Sequence, residues 1–294
     1  MNYNKIIIGT WALSGDYGYV DLYDINEVLG YSYRVGFKEY DTAPSYGNGF
    51  AEFCLGNFFY GTKDVLINTK IGNVPFKGKN FNIPSLKESF KQSLFRLKRD
   101  NINILYLHNP RDINYGLVLD FMKTLRDEGK IKYIGLSRAK GINYSMWENE
   151  FDVIQDDYNL LKIPCFDIYS YKFVARSILA NGLLSGNIKN NTIFEKGDLR
   201  NEWLKGERLE YLLKQIEGIR DIIAPYGLSL STVAKRYIIH QECIDGTIFG
   251  VKNKNHIREL LLDIENPLPK DLEIKLGYGY LQNFGVNQNN KLNY

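Results

Sequence analysis

Apolar positions along the chain follow two alternating rhythms. Short runs rich in β-branched and aromatic residues recur at Lys5–Gly9, Lys38–Asp41, Val65–Lys70, Ile104–His108, Lys132–Leu136, Val153–Gln155, Tyr171–Ala175 and Gly246–Gly250, predicting eight strands. Between them, apolar residues return at helical spacing. Leu86, Phe90, Leu94 and Leu97 follow Pro84 and the capping box Ser85-x-x-Glu88. Val118, Phe121, Met122 and Leu125 run up to Gly129, which suits a helix C-terminus, and Leu212, Ile216, Ile219 and Ile223 mark a third helix. Strands separated by helices imply parallel βαβ units, and eight of them imply a closed barrel or a doubly wound sheet. No fixed-period repeat or Pro/Ser-rich linker interrupts residues 1–294, so a single domain is expected, with a loose polar tail at about 280–294 ending in NQNNKLNY.

Composition narrows the class. At 44% hydrophobic and 24% charged residues the chain is globular rather than disordered. Thirty-seven Lys and Arg against 34 Asp and Glu give +3, too balanced for nucleic acid or a membrane surface as the main partner. Cys54, Cys165 and Cys243 are scattered and form no C-x-x-C pair, and the histidines are His108, His240 and His256. Neither a disulfide framework nor a thiolate or histidine metal site is expected. With no apolar run of membrane length and no leader pattern, the expectation is a cytoplasmic protein.

Phosphate loops fail inspection. Gly47-Asn48-Gly49 lacks the third glycine of the dinucleotide fingerprint, and G-x-x-x-x-G-K-[ST] is absent, which disfavours a Rossmann domain. Instead, Asp41, Lys70, His108, Ser137 and Gln155 stand at the C-terminal ends of successive predicted strands. In a (β/α)8 TIM barrel, the α/β fold expected here, active sites are built on that rim.

These residues lie in blocks that resemble the aldo-keto reductase family. The blocks run from Ile8 to about Glu259: GTW at Gly9–Trp11, DTAPSYGNG continuing through Glu52 to Gly56, NTKIG at Asn68–Gly72, then RLKRDNINILYLHNP, EGKIKYIGLS, QDDYNLL, ARSILANGLLSG and IDGTIFGVKN. The resemblance implies carbonyl reduction with NADPH/NADP lying extended on the barrel rim. It also implies catalytic Asp41, Tyr46, Lys70 and His108. Tyr46 would supply the proton, Lys70 would lower the phenol's pKa, Asp41 would hold Lys70 charged, and His108 would position the substrate oxygen. Each residue alone has an ordinary structural explanation, but their occurrence at three adjacent strand ends favours the catalytic one.

By the same resemblance, Ser137 and Gln155 would bind the nicotinamide carboxamide. Ser177, Leu179 and Gly182 would line the pyrophosphate, with Gly250, Lys252 and Asn253 at the adenosine end. Arg138 stands where the family usually has asparagine, Arg176 where it has a stacking aromatic ring, and His256 and Leu260 where glutamine and asparagine often meet adenine. The segment from Lys162 to Ser170 is too short for a full sixth helix. Trp11, Tyr17, Tyr19, Phe76 and Trp203 are candidates for an aromatic substrate pocket suited to a small carbonyl compound or keto-sugar. Two alternatives are a nicotinamide-binding regulatory protein on the same fold, and a barrel lyase whose Lys70 forms a Schiff base.

Overall fold

The structure, a computed structural model, describes residues 5–163 and 171–284. Eight parallel strands close into a barrel: β1 (Ile6–Gly9), β2 (Glu39–Asp41), β3 (Leu66–Ile71), β4 (Ile102–His108), β5 (Ile131–Ser137), β6 (Val153–Asp157), β7 (Lys172–Arg176) and β8 (Gly246–Gly250). Each pairs with its neighbours in sequence, and β1 completes the ring on β8 with Ile7 beside Ile248. Ring closure decides between the two architectures that the pattern allowed.

Around the strands lie α1 (Leu22–Arg34), α2 (Phe50–Phe58), α3 (Ile83–Leu97), α4 (Tyr115–Asp127), α5 (Arg200–Trp203), α6 (Gly206–Ile223), α7 (Leu230–Ile239), α8 (Lys254–Glu265) and α9 (Lys270–Phe284). Helix α3 starts earlier than its capping box predicts: Asn82, not Ser85, is the cap, its Oδ1 accepting from Ser85 N–H at 2.9 Å. Pro84 lacks an N–H and fits the first turn, so the helix begins before it. Helix α4 ends as expected, with Gly129 at φ 69° and Lys130 N–H returning to Leu125 O at 2.9 Å. Helix α6 buries Leu212, Ile216, Ile219 and Ile223.

Two crossovers depart from the regular pattern. Between β5 and β6 only the short turn Glu148–Glu150 is helical. After β6, Asn159 and Lys162 pair in a tight turn, and residues 164–170, where a shortened sixth helix was anticipated, lie outside the described residues. Helix α9 continues to Phe284, and residues 285–294, the rest of the tail expected from about 280, lie outside the described residues.

Strand alternation separates two apolar regions. Outward residues such as Ile8, Tyr40, Ile67, Leu105, Leu107, Ile134, Leu136, Ile154 and Phe249 pack beneath the helices in one large core. Inward residues Ile7, Ile104, Tyr106, Val153 and Val174 form a smaller plug inside the barrel, with Tyr133 and Ile248 against it. Tyr106 fits there because Gly135 has no side chain: a Cβ at Gly135 would sit 2.3 Å from the tyrosine ring.

Helices α2 and α3 meet equally closely. A Cβ at Gly56 would lie 2.2 Å from Arg96 O and 2.6 Å from Leu97 C, main-chain atoms that cannot rotate aside. Gly56→Ala should therefore lose about 1–3 kcal/mol of stability in urea unfolding. Gly218→Ala on the exposed face of α6, where a Cβ meets nothing within 4 Å, should be neutral or slightly stabilising. Equal midpoints for the two variants would contradict this packing.

Candidate active site

The inward alternation that fills the barrel with apolar groups ends at the C-terminal rim in polar ones: Asp41 on β2, Lys70 on β3, His108 on β4, Ser137 on β5, Gln155 and Asp157 on β6, and Arg176 on β7. Strand register sets His108 beside Ser137, Ser137 beside Gln155 and Asp157 beside Arg176. Lys70 is fully buried, and its ammonium donates to Asp41 Oδ1 at 2.5 Å and to Thr42 O at 2.8 Å. The second carboxylate oxygen of Asp41 accepts from Gln155 Nε2 at 3.0 Å. Ser137 Oγ donates to Gln155 Oε1 at 3.0 Å and accepts from Arg176 Nη1 at 2.6 Å. One unbroken chain of hydrogen bonds thus links β3 to β7.

Tyr46 reaches this chain from the loop after β2. Its ring stacks on Trp11 with centroids 5.5 Å apart, meets His108 edge-on at 6.1 Å, and lies 5.0 Å from the Lys70 ammonium. Asp16, which the sequence did not single out, fixes the arrangement: one carboxylate oxygen accepts from Trp11 Nε1 at 2.8 Å and from Gly47 N–H at 3.2 Å. Behind the loop, buried Glu52 of α2 accepts from Thr69 Oγ1 at 2.6 Å and from Arg96 Nε at 2.8 Å. That brace ties the helix after the Tyr46 loop to the outward face of β3, one residue before Lys70.

The electrostatics reverse one expectation. Burial, followed by the charge of Asp41, pushes the Tyr46 phenol well above its ordinary pKa, and Arg176 pulls against them. Burial dominates, and Asp41, which also pairs with Lys70, adds its negative charge to it. Tyr46 therefore stays protonated at neutral pH. Burial, then the charges of Lys70, Arg176 and Lys79, hold His108 far below its usual pKa, so the imidazole is neutral, and its Nδ1 has no partner among the described residues.

Arg176 is placed differently from a stacking ring. Its edge is occupied: Nε donates to Asp157 Oδ1 at 2.9 Å, Nη2 to Arg138 O at 2.8 Å, and Nη1 to Ser137. Asp157 pairs with the guanidinium, so Arg176 brings its own counter-charge to the position of the family's aromatic ring. Asp157 was legible by parity, being two residues beyond Gln155 on the same inward face. The Arg138 guanidinium turns outward to Glu148 at 2.5 Å and Asp156 at 3.6 Å, so only its carbonyl joins the network.

The remaining residues divide between the groove and elsewhere. Ser177 donates to Asp157 Oδ1 at 2.8 Å, and Ser177, Ala180, Asn181 and Gly182 all have left-handed backbone, folding the loop after β7 tightly around Leu179. At the exit of β8, Gly250 is followed by Lys252, whose ammonium donates to Tyr17 O at 2.9 Å, and by Asn253, the cap of α8, accepting from His256 N–H at 3.1 Å. His256 Nδ1 in turn accepts from Lys252 N–H at 3.3 Å. Leu260 is buried on the inner face of α8 rather than on the groove. Tyr17 packs on Trp11 at 4.7 Å, joining the site; Phe76 and Tyr19 are exposed, and Trp203 packs on the outer core with Arg208 over its ring. Among the described residues no cluster of His, Cys, Asp and Glu could hold a metal, and no helix is long and apolar enough to cross a membrane.

Comparison with known proteins agrees with this geometry. The chain is 28% identical to the aldo-keto reductase YhdN of Bacillus subtilis, over 87% of this chain and 84% of that one. It is 25% identical to an NADH-specific methylglyoxal reductase of Escherichia coli, covering 87% and 88%. A glycerol dehydrogenase structure from Gluconobacter oxydans shares the fold at a TM-score of 0.77 and 21% identity, covering 95% of this chain and 91% of that one. The aldo/keto reductase family model matches residues 5–272, and the chain belongs to that family of carbonyl oxidoreductases.

Proposed function

We propose that the protein reduces an aldehyde or ketone, among them keto-sugars, to an alcohol with NADPH, and that Tyr46 is the proton donor. The observation that carries this reading is the convergence of a protonated phenol, a neutral imidazole and a buried ammonium within one rim cluster. The donor set fits a dinucleotide. Gln155 and Ser137 carry groups complementary to a carboxamide, bonded here to each other, to Asp41 and to Arg176; the loop from Ser177 to Gly182 turns its main chain tightly, and Lys252 with the N-terminus of α8 offers positive charge to a phosphate. The cofactor, when bound, supplies the hydride to the carbonyl carbon.

The chain's own residues manage the resulting oxyanion. His108, neutral and buried, donates a hydrogen bond to the carbonyl oxygen and fixes its position. Tyr46 releases its proton to that oxygen as negative charge develops, with the Lys70 ammonium 5.0 Å from its ring and the Arg176 charge acting to stabilise the phenolate left behind. Trp11 and Tyr17 wall the pocket and exclude water. A Schiff-base role for Lys70 is disfavoured on geometry: burial lowers its pKa, but its Nζ is fully buried and held by Asp41 and Thr42 O, with no exposed surface for a substrate carbonyl to reach.

Removing the proton donor while keeping the ring tests this directly. Tyr46→Phe should bind cofactor normally and lose ~10²–10⁴ in kcat. Lys70→Met should do comparable damage. Wild-type kcat in Tyr46→Phe would mean that the donor is another group.

Neutral His108 also has a consequence for stability. Its folded pKa lies below the unfolded value of about 6.5, so on acidification the unfolded chain takes up the proton first. Stability is intact above about pH 6.5 and falls as pH drops below it. Urea unfolding at pH 7.5, 6.0 and 5.0 should show this decline, and a smaller decline in His108→Gln. Identical pH slopes would remove the buried neutral histidine from the account.

Preference for NADPH over NADH rests on Lys252. A lysine ~4 Å from a doubly charged 2′-phosphate contributes a few kcal/mol at an effective dielectric of 20, before desolvation and ordering are subtracted. A tenfold preference needs only about 1.4 kcal/mol. Lys252→Glu should abolish it; equal kcat/KM for the two cofactors in the unaltered protein would overturn the assignment.

A further inference from the structure

Cations crowd the rim, and most have a carboxylate: Lys70 with Asp41, Arg138 with Glu148, Lys162 with Asp156, Arg176 with Asp157 and Arg200 with Asp198. Lys79 and Arg111 do not; among the described residues neither makes an ion pair. Lys79 ends the small antiparallel ribbon that pairs Asn73–Val74 with Gly78–Lys79. Its ammonium donates to Asn109 O at 3.2 Å, the residue directly after His108. Arg111 lies two residues further along, and its Nη2 donates to Lys140 O at 2.8 Å, bridging the loops after β4 and β5.

Both cations are therefore fixed by main-chain carbonyls, which hold position without cancelling charge. Burial and then the charge of Arg111 lower the Lys79 pKa, and the charge of Lys79 acts in turn on His108. Asp112, the neighbouring acid, exerts its charge on Tyr115 at the start of α4. The loop that presents Arg111 is also strained, with Asn109 at φ 52° and Asp112 at φ 50°, and such backbone persists where the surroundings enforce it. Lys79 and Arg111 are both exposed, on the loops that follow β3 and β4 beside His108, and two like charges so placed repel until an anion lies between them.

We propose that Lys79 and Arg111 form a subsite for the anionic group, carboxylate or phosphate, of a carbonyl substrate whose C=O lies at Tyr46 and His108. The proposal rests on the carbonyl-reduction reading above and adds the substrate's charge class. Lys79 supplies a compact ammonium with further N–H donors, and Arg111 a planar fork matched to paired anion oxygens.

Matched substrate pairs test it: butanal against 4-oxobutanoate, and glycolaldehyde against glycolaldehyde phosphate. At low salt the charged member of at least one pair should have kcat/KM about tenfold or more above the neutral one, the advantage shrinking as salt is added. Whichever pair shows the larger ratio identifies carboxylate or phosphate as the recognised group. Lys79→Ala and Arg111→Gln should each erase most of that advantage through KM, leaving kcat/KM for the neutral aldehydes within about twofold. Calorimetric titration of the protein with acetate and with inorganic phosphate gives a second readout, in which binding should weaken in both variants. Equal kcat/KM within both pairs, or variants that slow charged and neutral substrates alike, would overturn the subsite. Reduction of no aldehyde, with anion binding still lost in the variants, would overturn the carbonyl-reduction reading and leave the anion site standing.

Discussion

Placing a lysine and an aspartate together inside the barrel is the constraint on which the upper half of the molecule depends. Taking two ions out of water costs several kcal/mol each, and the cost is recovered only if every remaining donor and acceptor is satisfied. Lys70 meets it with Asp41 and the Thr42 carbonyl. Asp41 then requires Gln155, Gln155 requires Ser137, and Ser137 takes Arg176, which brings a new charge and so requires Asp157. Lys70 on β3 and Arg176 on β7 consequently belong to one network, and a change at either end is felt at the other.

Much of this was legible in the chain. Strand period places Asp41, Lys70, His108, Ser137 and Gln155 on one side of their strands, and the closed barrel brings them together. The helix start at Asn253 was equally readable, because a capping residue follows directly on the exit of β8. Other features depend on contacts between distant segments. Nothing local marks Asp16 as the anchor of Trp11 and Gly47. The sign of the Tyr46 shift turns first on how deeply the folded chain buries the phenol and then on the nearby charge of Asp41, which are matters of packing and distance, not residue type. Arg138 and Arg176 looked like two losses at the cofactor edge. In the folded chain each has acquired acids of its own, Glu148 with Asp156 and Asp157 respectively.

Separate cores inside and outside the strands divide the labour. The outer one carries most of the buried apolar residues and holds the helices on the sheet. The inner plug, with Tyr106 seated against Gly135, supports the polar layer from below and keeps water out of the barrel. Side chains at the rim can therefore be exchanged while the large core is left intact, which is how one fold carries different specificities.

The crossover between β5 and β6 shows what happens where the scaffold thins. Without a helix, this stretch has few main-chain bonds of its own and is fastened by side chains. Tyr144 OH donates to Pro110 O and accepts from Ala139 N–H, Trp147 stacks on Tyr115 of α4 at 5.4 Å, and Phe151 is buried. A segment held by a few rings opens locally at a smaller free-energy cost than one held by a helical ladder. Amide protons there should exchange ahead of those in α4 or α6. Because Ala139 and Arg138 directly continue β5, the fastening of this stretch bears on the β5 edge of the rim, whereas the rim at β2 and β3 is backed by the helices α2 and α3.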